Sequence, residues 1–277
     1  AYALPIAAVV TIALVWFVNV SGMGVATKLI TAITPSQNLT ANITAFEELT
    51  EHPSFALQEI REQLVNFASA MAQSSSATNE QKQRIVSLAV TEMQKQVTAY
   101  PLDTRGHLEL SFIYRAAGDA ADALSEVKAA AALSPKKEDI LVQAGAIEWD
   151  QGNFAAAQKD FNIAYALGPQ FADLAIYAAA GDIAVGDMAT ADNILQDAYG
   201  TTNVDSDVLA AAYYHAKNWA RLIALWKSRT DVPGAGVETW FGLAAAYYMA
   251  GQNSNAIATI NKAVALYPAS SSSAAAA

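Results

Sequence analysis

The chain has no cysteine, which excludes disulfides, a thiol nucleophile and thiolate metal ligands. Its three histidines, His52, His107 and His215, stand far apart, none at metal-ligand spacing from another histidine or a carboxylate pair. No glycine-rich phosphate loop and no Ser-His-Asp ordering occurs. Gly181-Asp182 and Gly186-Asp187 lack the ligand spacing of a calcium loop. No catalytic, cofactor-binding or metal-ligating residue is assigned, and a non-enzymatic protein is expected. Positive charge is scarce too. Sixteen Lys and Arg face 26 Asp and Glu, a formal net charge of −10, whereas nucleic-acid binding needs basic stripes. The imbalance is concentrated in Glu138–Ala210, where twelve carboxylates face Lys159 alone. A basic partner or divalent cations could use that run; a solvated face accounts for it without a ligand.

Charge of either sign is missing from residues 1–27, and Lys28 is the only ionic group before Glu47. Ala3–Val18 is almost continuous Ala, Val, Ile and Leu, with Trp16 and Phe17 near its end. Residues 1–34 are expected to form one long hydrophobic helix presenting Leu4, Ile6, Val9, Ile12, Trp16 and Phe17. A helix of about 27 residues spans roughly 40 Å, against roughly 30 Å of bilayer hydrocarbon. The basic leader and cleavage site of a signal peptide are absent, and the chain opens on Ala1 as a processed or excised chain would. Two readings stay open: a membrane span, or an assembly element buried in protein.

Downstream the dominant signal is periodic. Pro101, Pro135 and Pro169 recur at equal intervals of about 34 residues, and Pro268 closes a later unit. With Thr104 as position 1, Gly118, Gly152 and Gly251 fall at position 15 of their units, Ala123, Ala157 and Ala256 at position 20, and Ala130, Ala164 and Ala263 at position 27. Small residues are needed where helices cross; glycine ends a first helix in a left-handed conformation, and proline cannot continue a second one. The pattern resembles the tetratricopeptide repeat (TPR), a helix–turn–helix of that length. The resemblance implies an all-α superhelical solenoid with five units over residues 104–270. Two units are divergent: Ala172–Asp205 has Asn203 in place of proline, and Ser206–Gly236 is three residues short. Residues 54–103 read as capping helices or a degenerate repeat, as expected for a terminal unit with one unpaired face. Residues 35–53 read as a Thr/Asn-rich linker, and 271–277 as a Ser/Ala tail. The linker holds two sequons, Asn38-Leu39-Thr40 and Asn42-Ile43-Thr44, so Asn38, Asn42, Thr40 and Thr44 are candidate glycan acceptors.

A second resemblance rests on Trp16-Phe17-Val18-Asn19-Val20, Leu29–Ile33, Gln58-Glu59-Ile60-Arg61-Glu62-Gln63-Leu64, Glu92-Met93 and Pro101–Arg105. Together these are similar to the carboxyl-terminal last span and TPR segment of bacterial O-antigen ligase or polymerase-like membrane proteins. The likeness implies an envelope or surface setting. It carries over no glycosyl transfer, because the many spans and the extracytoplasmic loop of that family are missing.

In TPR units the first helix lines the concave face. Its positions 5 and 12, with Phe112 at position 9, read Leu108, Phe112, Val142, Trp149, Ile176, Ile183, Phe241 and Tyr248. Arg115 stands at position 12 of the first unit, but the Lys, Arg and Asn pattern of carboxylate-clamping TPR domains is missing. An apolar groove suits an apolar helix or strand, unless solenoid curvature covers those side chains. The leading expectation is a self-associating TPR protein of the cell surface, a homo-oligomeric helical polymer assembled through its N-terminal helix and carrying glycans, in the role of an extracellular filament subunit. The alternative is a membrane-anchored TPR scaffold that recruits envelope proteins.

Overall fold

A computed structural model of the chain describes residues 3–16, 21–34, 36, 38–52 and 54–268. Among them fifteen α-helices and no strand occur. They belong to two compact units, Ala1–Pro135 and Lys136–Ala277, each built from antiparallel helix pairs of the TPR-like solenoid type.

The first unit contains α1 (Ala3–Val15), α2 (Ser21–Ile33), α3 (Leu39–Glu51), α4 (Leu57–Gln73), α5 (Asn79–Ala99), α6 (Thr104–Ala117) and α7 (Ala120–Leu133). Two expectations are corrected here. A single long N-terminal apolar helix is not found: α1 and α2 are separate 13-residue helices, each about 20 Å long. No helix among the described residues is long and apolar enough to cross a membrane. The physical reason lies in α2. Its Ser21, Gly22, Gly24, Thr27 and Lys28 break the apolar run, and it packs on α3 and α4 instead, sinking Ala32 completely.

The expected linker is the second correction, since most of it is α3. Asn38 caps that helix by accepting from the Ala41 amide, and Ile43, Phe46 and Leu49 form one buried face. Phe46 meets Phe67 of α4 with ring centroids 5.3 Å apart. Threonine-rich composition hides a helix whose stability comes from burying that face rather than from propensity.

The Gln58–Leu64 run is used structurally. Arg61, buried on α4, donates through Nε and Nη2 to Glu92 Oε2 of α5, both at 3.1 Å, and through Nη1 to Gln96 Oε1 at 2.7 Å. Glu92 also receives Lys95 at 2.5 Å. A buried charge persists only when paired in this way.

The second unit contains α8 (Glu138–Asp150), α9 (Phe154–Leu167), α10 (Ala172–Val185), α11 (Met188–Tyr199), α12 (Asp207–His215), α13 (Trp219–Thr230), α14 (Val237–Met249) and α15 (Asn253–Leu266). Close helix approach depends on small residues. Ala157 and Ala164 are fully buried. A Cβ on Gly181 of α10 would lie 2.8 Å from the Gln158 Cα of α9. Beside it, buried Asp182 accepts from Gln158 Nε2 at 2.7 Å and Asn162 Nδ2 at 3.0 Å.

The turn between helices of a pair repeats a positive φ, at Gly118 (82°), Gly152 (77°), Gly186 (90°) and Gly251 (74°), and at Lys217 (54°). Lys217 stands one full repeat before Gly251 but falls short of a full repeat after Gly186. The shortening of the divergent unit therefore lies upstream of Lys217, between that turn and the one at Gly186. Helix α12 has only nine residues and packs on α10 instead of α11.

Candidate interaction site

The groove-lining positions sort by unit. In the first unit Leu108 is half-buried and Phe112 is 48% exposed, both on α6. In the second, Val142, Trp149, Ile176 and Phe241 are half-buried, and Tyr248 is 65% exposed. Ile183 is a correction. It has no exposed surface and belongs to the core with Leu195 and Leu209, because the shortened α12 lies over α10.

Placing the turn at Lys217 brings in two residues that the sequence reading missed. Ala211 and Tyr214 on α12 stand one full repeat before Ala245 and Tyr248 on α14. All four are exposed. The signal was present in that spacing, but lysine in place of the turn glycine concealed it.

Three depressions follow this face of the second unit. One, of about 310 Å³, lies between α8, α9, α10 and α12 and includes Ala146, Trp149, Phe161, Tyr177 and Ala211. Trp149 is held edge-on against Phe154 at 5.0 Å, and Phe154 stacks on His215 of α12 at 3.6 Å. A second, of about 260 Å³, runs from Tyr214 and Trp226 to Ala245 and Met249. The third, of about 420 Å³, opens between α14 and α15 and is lined by Phe241, Ala245, Tyr248, Ile257 and Ile260 among others. Alanine and aromatic side chains line all three, which suits the close approach of an apolar backbone.

The acidic stretch is partly neutralised by the following helix. Arg221 of α13 donates to Asp192 Oδ2 at 2.6 Å, and Arg229 reaches Asp205 at 2.5 Å and Asp207 at 2.8 Å. Asp187 caps α11 through the Thr190 amide and hydroxyl, and these hydrogen bonds lower its pKa. His107 is a packing histidine of α6: Nδ1 lies 2.6 Å from Glu126 Oε2 and Nε2 lies 3.1 Å from the Pro101 carbonyl. Burial alone would push its pKa down. The Glu126 carboxylate and the Pro101 carbonyl outweigh that and raise it. These arrangements cap and tie helices.

The assembly-helix residues are conspicuous. Ile6, Val9, Ile12 and Trp16 are 62%, 66%, 68% and 69% exposed; Phe17 and the side chain of Leu4 lie outside the described residues. The sequon residues divide. Asn38, Thr40 and Thr44 are exposed, with Asn38 as the α3 cap and Thr40 accepting from Gln81 Nε2 at 3.1 Å. Asn42 is 3% exposed. Its Nδ2 serves the carbonyls of Thr31, Ala32 and Thr34, and its Oδ1 accepts from Ser36 Oγ. A sugar on Asn42 has no room in this fold, so that candidate is withdrawn.

No protein-family model and no curated protein sequence matches the chain. Solved structures do. A tetratricopeptide repeat protein from Parabacteroides merdae is similar with a TM-score of 0.57 at 13% identity, covering 83% of this chain and 87% of its own. Pseudomonas aeruginosa PilF aligns at a TM-score of 0.48 and 13% identity, over 77% of this chain and 94% of its own. YrrB, a TPR protein with an unusual peptide-binding site, aligns at 0.43 and 14% identity, over 64% and 92%. At these identities the likeness is one of fold.

Proposed function

We propose that this protein is a non-catalytic structural TPR protein of the cell surface that polymerises through α1, as the subunit of an extracellular filament. TPR folds typically serve as protein-interaction scaffolds. The observation that carries the narrower reading is α1 itself: every described side chain from Pro5 to Trp16 is exposed, and no charge interrupts it. A helix that is apolar all round belongs in an interior. Among the described residues no helix is long and apolar enough to cross a membrane.

The second reading is a membrane-anchored TPR scaffold for envelope proteins, related by descent to O-antigen ligase-like proteins. What favours it is the same uncharged α1 with Trp16 at its end, as interfacial aromatics are placed.

The test removes residues 1–20, which leaves α2 and its packing intact. Electron microscopy and sedimentation without detergent should show ordered polymers for the full chain and folded, dispersed particles for the truncation. Polymers from the truncated chain refute the assembly reading. A full chain that disperses without detergent refutes it as well, and flotation with lipid vesicles then supports the anchored scaffold.

A further inference from the structure

Within the second unit, α10 shows what normally covers a second helix of a pair. It lies on α9 with Gly181 against the Gln158 backbone and the Tyr177 ring 5.4 Å from the Phe161 ring. Gln158 and Phe161 occupy positions 21 and 24 of their repeat. The same positions in the last pair are Ile257 and Ile260. There no further helix follows among the described residues. Ile257 is 60% exposed, and a cleft of about 420 Å³ opens beside it between α14 and α15.

A terminal repeat that faces water needs a polar outer surface. Here the side chain that meets the next helix changes from Gln158 to isoleucine, and Leu266 is another 53% exposed apolar group on α15. This is the surface of a pair prepared for one more first helix. Residues 269–277 contain only serine and alanine. Helix α1 has the matching properties. It is 13 residues long, as α8 and α14 are. It carries Ala7, Ala8 and Ala13 for close approach among Ile6, Val9, Val10 and Ile12. All of these are exposed.

Resting on the assembly reading above, we propose that α1 of a second copy occupies the place a next first helix would take, against Phe241, Tyr248, Ile257 and Ile260. The donor surface is on the first unit and the acceptor on the second, so the contact is heterologous and propagates rather than closing on a two-fold. Each joint would continue the helix stack of one copy with a helix of the next.

The experiment uses the whole chain with a photo-cross-linking residue at Ile12, together with the variant Ile257→Glu at a 60% exposed position. Cross-links should join Ile12 to α14 or α15 of a different copy, and Ile257→Glu should abolish polymers. Mixing Ile257→Glu with the chain lacking residues 1–20 should give one-to-one dimers that stop growing, since one partner supplies the only working helix and the other the only working cleft. This pairing reads out the cleft even if Ile257→Glu perturbs α15. Polymers from Ile257→Glu with cross-links away from α14 and α15, or cross-links confined to one chain, overturn the cleft assignment. If the chain lacking residues 1–20 still polymerises, the assembly reading and this inference fall together.

Discussion

Adding one methyl group to two glycines should move stability in opposite directions. In Gly181→Ala the new Cβ would sit 2.8 Å from Gln158 Cα, where ordinary contact begins at 3.4 Å, so α9 and α10 must part by about 0.6 Å. The obstacle is backbone and cannot rotate away. Parting also stretches the bonds of buried Asp182 to Gln158 and Asn162, now 2.7 and 3.0 Å. Overpacking costs about 1–3 kcal/mol, and weakening the hydrogen bonds of a buried carboxylate adds to it. Alanine's better helix propensity returns about 1 kcal/mol. The expected net is a loss of roughly 1–2 kcal/mol, or a Tm lowered by roughly 2–8 °C. Gly24 on α2 has nothing within 4 Å of its would-be Cβ, so Gly24→Ala keeps only the propensity gain, up to about 1 kcal/mol. Parallel thermal melts monitored by circular dichroism decide it. A Gly181→Ala protein that melts at or above the parent, moving with Gly24→Ala, refutes the assignment of this site as a backbone-to-backbone crossing.

Two further outcomes are expected. His107 has a pKa above its ordinary 6.5 in the folded state, so its stabilisation is fully present below pH 6.5 and disappears as pH rises through the folded value; His107→Gln should remove that component from a Tm-versus-pH series, and unchanged curvature would contradict the pairing with Glu126. Asn42→Ala leaves the carbonyls of Thr31, Ala32 and Thr34 without their shared donor and should cost about 1–3 kcal/mol, while peptide mapping of native material should find Asn42 bare; a sugar there would contradict the packing of α3.

The repeat was readable because its small residues serve sterics. Gly152 and Gly251 end their helices at positive φ, and Ala157 and Ala164 are buried where helices cross. Those constraints act on single residue types, so they survive as spacing. What escaped the sequence depends on tertiary context. Lys217 takes a conformation usually left to glycine, which hid the turn and with it Tyr214 and Ala211. Ile183 follows groove spacing yet is buried, because α12 is short. Helix α3 looked like linker, since its threonines and asparagines advertise turns while its stability comes from Ile43, Phe46 and Leu49. For the interaction site, the sequence supplied the side-chain row; the cleft beside Ile257 needed coordinates, because an open position on α15 has the same spacing as a covered one on α9.

The seat of α12 on α10 also bears on how the second unit comes apart. In a plain array each pair touches only its neighbours, and the ends peel off one pair at a time. Here α12 bypasses α11 and covers Ile183, so freeing α12 exposes the interior of the preceding pair. Arg221 adds a tie from α13 back to Asp192 of α11. The two pairs therefore open as one cooperative block instead of two successive steps. That block is a firm base for α14 and α15, and fraying that starts at the carboxyl-terminal pair is checked when it reaches α13.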